Sequence, residues 1–227
     1  MKKVKNIIDK NYEIVDIIFV LDKSGSMSGL ESDTIGGFNS FIEKQKNVEG
    51  KAYLTLVVFD TQCKVVYDRI DIKEIPKLTN KEYTPSGCTA LYDAIGLAID
   101  KEITRLNYLS NDETPSKVIF NIITDGEENS SREYSLSSIK SKIKELEEDD
   151  WTFSFLGANI DSFADSRKIG ITHATNFSHT NVGMRSVYDS LSKNIENHRN
   201  DSFVYANSCT STSCSAPVYN PNFNNIR

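Results

Sequence analysis

The stretch Ile17-Ile18-Phe19-Val20-Leu21-Asp22-Lys23-Ser24-Gly25-Ser26-Met27-Ser28 decides how the rest of the chain is read. An apolar run without polar alternation is the pattern of a strand buried on both faces, as in a parallel sheet. Here the run stops at a carboxylate, and hydroxyls follow at every second position, Ser24 and Ser26. Ligands of an open α/β sheet sit in the crevice beyond the carboxyl ends of its strands, so Asp22, Ser24 and Ser26 are expected together in a loop at the mouth of the fold. One carboxylate and two hydroxyls, with no His or Cys beside them, suit a hard cation such as Mg2+ rather than zinc. A Ser/Gly-rich turn that binds nothing is the competing reading of the triplet taken alone.

Outward from this stretch, residues 14–21 read as the first strand. Residues 30–46 carry Ile35, Phe38, Phe41 and Ile42 at helical spacing, so the loop runs directly into an amphipathic helix. Residues 51–60 form a second strand, and residues 63–72 alternate Val65, Tyr67 and Ile70 with polar side chains, as an antiparallel edge strand would. An irregular segment, 73–88, contains Pro76 and the turn Pro85-Ser86-Gly87 and delivers Thr89 to the start of a helix with Ala98, Ile99, Ile103 and Leu106 on one stripe. Thr89 is either the cap of that helix or a ligand. Lys117-Val118-Ile119-Phe120-Asn121-Ile122-Ile123 is a central strand, and it again ends in a carboxylate, within Thr124-Asp125-Gly126-Glu127-Glu128-Asn129. Helices over 135–148, 161–169 and 182–195 and strands over 151–157 and 173–177 complete the alternation. The fold class is therefore α/β: a doubly wound, mostly parallel central sheet with one antiparallel edge strand and helices on both faces.

A chain of 227 residues suits one such domain, 14–199, with a polar leader, 1–13, and a polar tail, 200–227, expected to be flexible because it is rich in Asn, Ser and Thr without an apolar period. The net charge of −6 with dispersed lysines and arginines argues against a nucleic-acid footprint. Neither a signal peptide nor a membrane span is legible after Met1-Lys2-Lys3, so a cytoplasmic location is the expectation. Cys63, Cys88, Cys209 and Cys214 are too few and too scattered for a disulfide scaffold, and Cys209 and Cys214 lack the second ligand pair of a zinc site.

Three loops thus offer oxygen ligands: Asp22, Ser24 and Ser26 from the first, Thr89 from the second, Asp125 from the third. In this order, Asp-x-Ser-x-Ser, then Thr heading a helix, then Thr-Asp-Gly closing a strand, the chain resembles the von Willebrand factor A domains and their metal-ion-dependent adhesion site (MIDAS). The blocks from Phe19 to Met27, from Gly87 to Ile95 and from Ile122 to Glu127 carry the likeness. Cys88 departs from it, standing where a second Gly often precedes the Thr. The resemblance implies a Rossmann-like fold, an ion held by Asp22, Ser24, Ser26, Thr89 and Asp125, and a last helix that tunes affinity. It also implies that Thr89 binds directly in some ligand-bound states while Asp22 and Asp125 act through water or hydrogen bonds. Glu127 and Glu128 read as exposed rim charges and are not counted as ligands.

The preferred function is a protein-binding module that engages an Asp or Glu carboxylate of a partner protein through bound Mg2+ or Mn2+, and not an enzyme. Mg2+ keeps open positions, and carboxylates outside its immediate shell leave charge for a partner to neutralise. The alternative is a Mg2+-dependent hydrolase or phosphatase using Asp22 as nucleophile or activated Ser24. Against it, no phosphate loop and no matching His or Lys motif is present, and Ser24 stands where an acid would help a leaving group depart.

Overall fold

A computed structural model describes residues 14–158, 162–178 and 180–208. Six strands, β1 (Ile14–Asp22), β2 (Lys51–Phe59), β3 (Cys63–Asp71), β4 (Lys117–Thr124), β5 (Trp151–Gly157) and β6 (Ala174–Asn176), form one sheet in the order β3-β2-β1-β4-β5-β6. Every neighbouring pair is parallel except β2 and β3. The helices are α1 (Glu31–Gln45), α2 (Leu91–Leu106), α3 (Leu136–Glu148), α4 (Ser162–Lys168) and α5 (Asn181–Ser208). This is the doubly wound architecture expected from the alternation of apolar periods.

Strand β1 is central and wholly buried, because its alternate residues feed two different cores. Val15, Ile17, Phe19 and Leu21 pack with Phe38 and Phe41 of α1 and with Val187, Tyr188 and Leu191 of α5. Ile18 and Val20 face the other way, into Ile95 and Ile99 of α2 and Ile139 and Ile143 of α3. The ring of Phe19 meets those of Phe38 and Phe41 edge-on at 5.7 and 5.0 Å, a favoured aromatic geometry. An unbroken apolar run is the consequence of having no solvent face.

The strand order turns back at β1: the chain leaves it for β2 and β3 on one side and returns for β4 on the other. In register, Leu21 pairs with Ile123, so the strand ends Asp22 and Thr124 lie side by side at the rim. Such a switch point opens a crevice between the two loops that follow.

Two expectations are corrected. The last helix does not stop at residue 195 but runs to Ser208, so the first part of the segment read as a flexible tail is helical. Residues 196–202 are polar and Phe203-Val204-Tyr205-Ala206 is a short run without helical spacing, so the apolar stripe is not legible past Ile195. The leader, 1–13, and residues 209–227, with Cys209 and Cys214, lie outside the described residues. Among the described residues no helix is long and apolar enough to cross a membrane.

Candidate functional site

The loop after β1 is a single turn of 3-10 helix, Gly25–Met27, anchored by the buried Met27. Ser24 stands at the head of this turn and Ser26 within it, and their hydroxyls are 2.9 Å apart. Asp22 is fully buried beneath them, and both of its oxygens are engaged. Oδ1 accepts the Ser24 backbone N–H at 2.6 Å, and Oδ2 accepts the Thr124 hydroxyl, also at 2.6 Å. Burial pushes the Asp22 carboxyl up to about 6, against the hydrogen bonds from Thr124 and Ser24, with the charge of Asp125 adding to the rise.

Asp125, just past the end of β4, reaches over from the third loop and accepts the Ser26 hydroxyl at 2.6 Å. Thr89 comes from the second loop and is buried. It lies beside Gly126: a Cβ built there would lie 2.9 Å from Thr89 Oγ1, 3.2 Å from Ser26 Oγ and 3.6 Å from Ser24 Oγ. Three hydroxyls from two loops therefore face one small space beside a residue without a side chain. The structure brings all five sequence-derived residues, Asp22, Ser24, Ser26, Thr89 and Asp125, to one rim. Exposure rises from Asp22 through Ser24 to Ser26, so the cluster opens outward. Three hydroxyls and two carboxylates, all oxygen, fit a hard dication. Among the described residues no group of three or more His, Cys, Asp or Glu side chains is arranged as a metal site, so neutral hydroxyls dominate this donor set.

The first and second loops are stitched together by main-chain bonds: Gly25 N–H to the Gly87 carbonyl at 3.1 Å and Ser86 N–H to the Lys23 carbonyl at 2.8 Å. Gly87 has a φ of 67°, and a Cβ there would come within 2.6 Å of the Thr61 hydroxyl, so glycine is required. Cys88, the departure noted in the sequence, is exposed and donates its backbone N–H to Thr61 Oγ1, so its side chain does not crowd the loop. Lys23 is paired with Asp60, which also accepts the Ser86 hydroxyl.

Thr89 is not the cap of α2. The helix starts after Ala90, and its first N–H groups are taken up by Glu128 and Ser131 of the β4–α3 loop. Glu128 is thus not an exposed rim charge, whereas Glu127 is exposed. Sequence reasoning also missed Tyr83, buried in the irregular segment, whose hydroxyl donates to the Asp22 carbonyl at 2.7 Å. Polar Lys81, Glu82 and Thr84 flank it, and nothing in the local pattern announces a buried aromatic. Thr124 was legible only as part of the Thr-Asp-Gly block.

A family model described as von Willebrand factor type A domain matches residues 16–198. No curated protein sequence matches the chain significantly. Among solved structures, a mutant of the PilB minor pilin from Streptococcus sanguinis superposes with a TM-score of 0.60 at 13% identity, covering 90% of this chain and 64% of the pilin. The von Willebrand factor domain of the type V pili tip protein Mfa5 from Porphyromonas gingivalis gives 0.59 at 12% identity, covering 81% of this chain and 95% of that one. Manganese-loaded TRAP protein from Plasmodium vivax gives 0.52 at 18% identity, covering 74% and 70%. At such identities these likenesses speak for the fold alone, and this chain spans about two thirds of the pilin's length.

Proposed function

Since this chain belongs to the von Willebrand factor type A domain family, we propose that it is a divalent-cation-dependent module that binds a carboxylate of a partner protein. One observation carries this reading: the hydroxyls of Ser24, Ser26 and Thr89 converge beside Gly126 within reach of Asp125. Ser24, Ser26 and Thr89 would hold Mg2+ or Mn2+ directly. Asp22, with both oxygens engaged by Ser24 and Thr124, would orient the first loop and act on the ion's charge from behind. Asp125 would act through Ser26 or through water. When bound, the ion supplies a Lewis-acidic position that an Asp or Glu carboxylate completes. A manganese-loaded protein of the same fold is consistent with the donor set.

The hydrolase reading is the weaker one. A nucleophilic Asp22 would need a free oxygen facing substrate, but it is fully buried and hydrogen-bonded at both oxygens. The Ser24 hydroxyl has the Ser26 hydroxyl as its partner at 2.9 Å, a neutral group that is a poor base.

The test is calorimetric titration of the full chain with Mn2+ and Mg2+, beside the Ser24→Ala, Ser26→Ala double variant. Saturable uptake by the wild type and its loss in the variant are expected, followed by partner capture that EDTA abolishes. A wild type that takes up neither ion at millimolar concentration, or a double variant that binds as tightly, refutes the reading.

A further inference from the structure

We propose that Asn129 and Glu128, neither of them a ligand, position Thr89 for the cation by clamping its main chain and capping helix α2 from the β4–α3 loop. The inference rests on the cation reading above.

The start of a helix leaves N–H groups without intrahelical partners, and a Thr just before it ordinarily supplies the missing acceptor with its own hydroxyl. Thr89 lies one residue before that place: the cap position is held by Ala90, whose side chain has no acceptor. The acceptors come from another loop. Glu128 Oε2 receives the Tyr92 N–H at 3.0 Å, and Ser131 Oγ receives the Asp93 N–H at 3.1 Å. Glu128 is itself held by the N–H groups of Ser130 and Ser131, at 2.9 and 2.7 Å, and by the Ser131 hydroxyl at 2.7 Å. A hydroxyl that would be spent on the helix is left to face the space beside Gly126.

The direction of that hydroxyl is set from the main chain. Thr89 donates its N–H to Asn129 Oδ1 at 2.9 Å, and its carbonyl accepts the Asn129 N–H at 3.0 Å. Two bonds, one on each side of the Thr89 α-carbon, fix both flanking peptide planes. Threonine is stiff about χ1, so a fixed backbone leaves its oxygen few directions to point. Asn129 also follows Asp125 by four positions, so the clamp joins the second and third ligand loops into one unit. Neighbouring residues in this loop divide the work: Glu127 and Asn129 are both exposed, but Asn129 bonds back onto Thr89 and the half-buried Glu128 onto α2.

The experiment is Mn2+ titration of the full chain with a parallel thermal melt of the metal-free protein. Asn129→Ala, which changes no charge, is expected to weaken Mn2+ binding by about 10- to 100-fold, the range for residues that orient a ligand, while the melt stays near that of the wild type. Asn129→Asp in a Glu127→Gln background keeps the net charge, restores the acceptor and recovers most of the affinity. In a Thr89→Ala background, Asn129→Ala adds no further loss, because both changes remove the same contribution. Wild-type affinity in Asn129→Ala, or losses that simply add in the double variant, overturns the proposal. Should Asn129→Ala melt far below the wild type, Glu128→Gln is titrated instead. Its loss should exceed that of Glu127→Gln, which reports the effect of charge alone, and equal losses overturn the proposal. Failure of the wild type itself to bind Mn2+ refutes the cation reading, and is seen before any variant is made.

Discussion

Thr124 Oγ1 donates a 2.6 Å hydrogen bond to Asp22 Oδ2, so the last residue of β4 orients the carboxylate that ends β1. The parallel register that pairs Leu21 with Ile123 makes this contact, bringing together residues 102 positions apart. It ties the loop after β1 to the loop after β4.

The proton on Asp22 should be in competition with the cation. Burial raises this carboxyl to about 6, above the value near 3.9 of an unfolded Asp. The folded chain therefore holds a proton that the unfolded chain has released. Its contribution to stability is complete below pH about 4 and is lost as pH rises through 6. Metal-free protein should lose this part of its melting temperature over that window, and Asp22→Asn should not. Mn2+ affinity should climb with pH through 6 and then level off, since binding favours the ionised form. Thr124→Val, which removes the donor, should move that midpoint upward, and Thr124→Ser should leave it in place.

Gly126→Ala should fill the space between the hydroxyls without touching the core. The added carbon would lie 2.9 Å from Thr89 Oγ1 and 3.2 Å from Ser26 Oγ, so both must give way. A loss of at least about tenfold in Mn2+ affinity is expected, with the metal-free melt nearly unchanged. An unchanged titration would mean that the ion is not held there.

At the other end of the sheet, Asp16 and Glu102 are both buried carboxyls, and burial raises the pKa of each. Asp16 Oδ1 and Glu102 Oε1 have no nitrogen or hydroxyl partner, so an ionised form of either is poorly compensated there. Arg69 donates to Asp16 at 2.9 Å, and Arg105 is paired with Glu102 and with Asp68. Burial pushes Glu102 up to about 8, with the charge of Asp16 adding to the rise, while Arg105 and Arg69 oppose it. The folded form again binds the extra proton, so this contribution is present below pH about 4.5 and is lost as pH rises through 8. Urea unfolding between pH 6 and 9 should show stability falling by up to about 1.4 kcal/mol per pH unit from this one proton. Glu102→Gln keeps a donor for Asp16 and should flatten the profile.

Arg199 should hold α5 to the end of α1. Its guanidinium is buried and donates to the carbonyls of Gln45, Val48 and Gly50 at 2.7, 3.0 and 3.1 Å, and to Gln45 Oε1 at 3.0 Å. Burial lowers its pKa to about 10, so it remains charged at neutral pH. Arg199→Ala leaves these carbonyls in a crevice without donors and should destabilise the chain by about 3 kcal/mol, read from chemical unfolding. Arg199→Lys should recover little, because an ammonium cannot span a fan of carbonyls that a planar fork reaches.

Much of this protein is legible along the chain. The apolar run before Asp22 reports a strand without a solvent face, and the same ending at Thr124-Asp125 reports a second one beside it. The five oxygen-bearing residues could be named because each borders a periodic element whose end or start is visible. Glu128, Asn129 and Tyr83 could not, since their partners lie far away in sequence: Glu128 reaches Tyr92, Asn129 reaches Thr89, and Tyr83 reaches Asp22. A loop residue has no period, so nothing local tells a solvated Glu127 from an engaged Glu128. The extension of α5 to Ser208 was hidden because the polar stretch 196–202 interrupts its apolar stripe before the run Phe203-Val204-Tyr205-Ala206.

By itself, then, the order of residues determined the α/β class, the succession of elements and which oxygen-bearing side chains stand at their ends, because burial on one or two faces writes a period into the chain. Only the tertiary structure decided which oxygens face one another, which carboxylates are already occupied, and that Thr89 is relieved of capping its own helix. Those outcomes depend on register and on contacts between distant loops, and pairwise distances across a fold leave no periodic trace in the sequence.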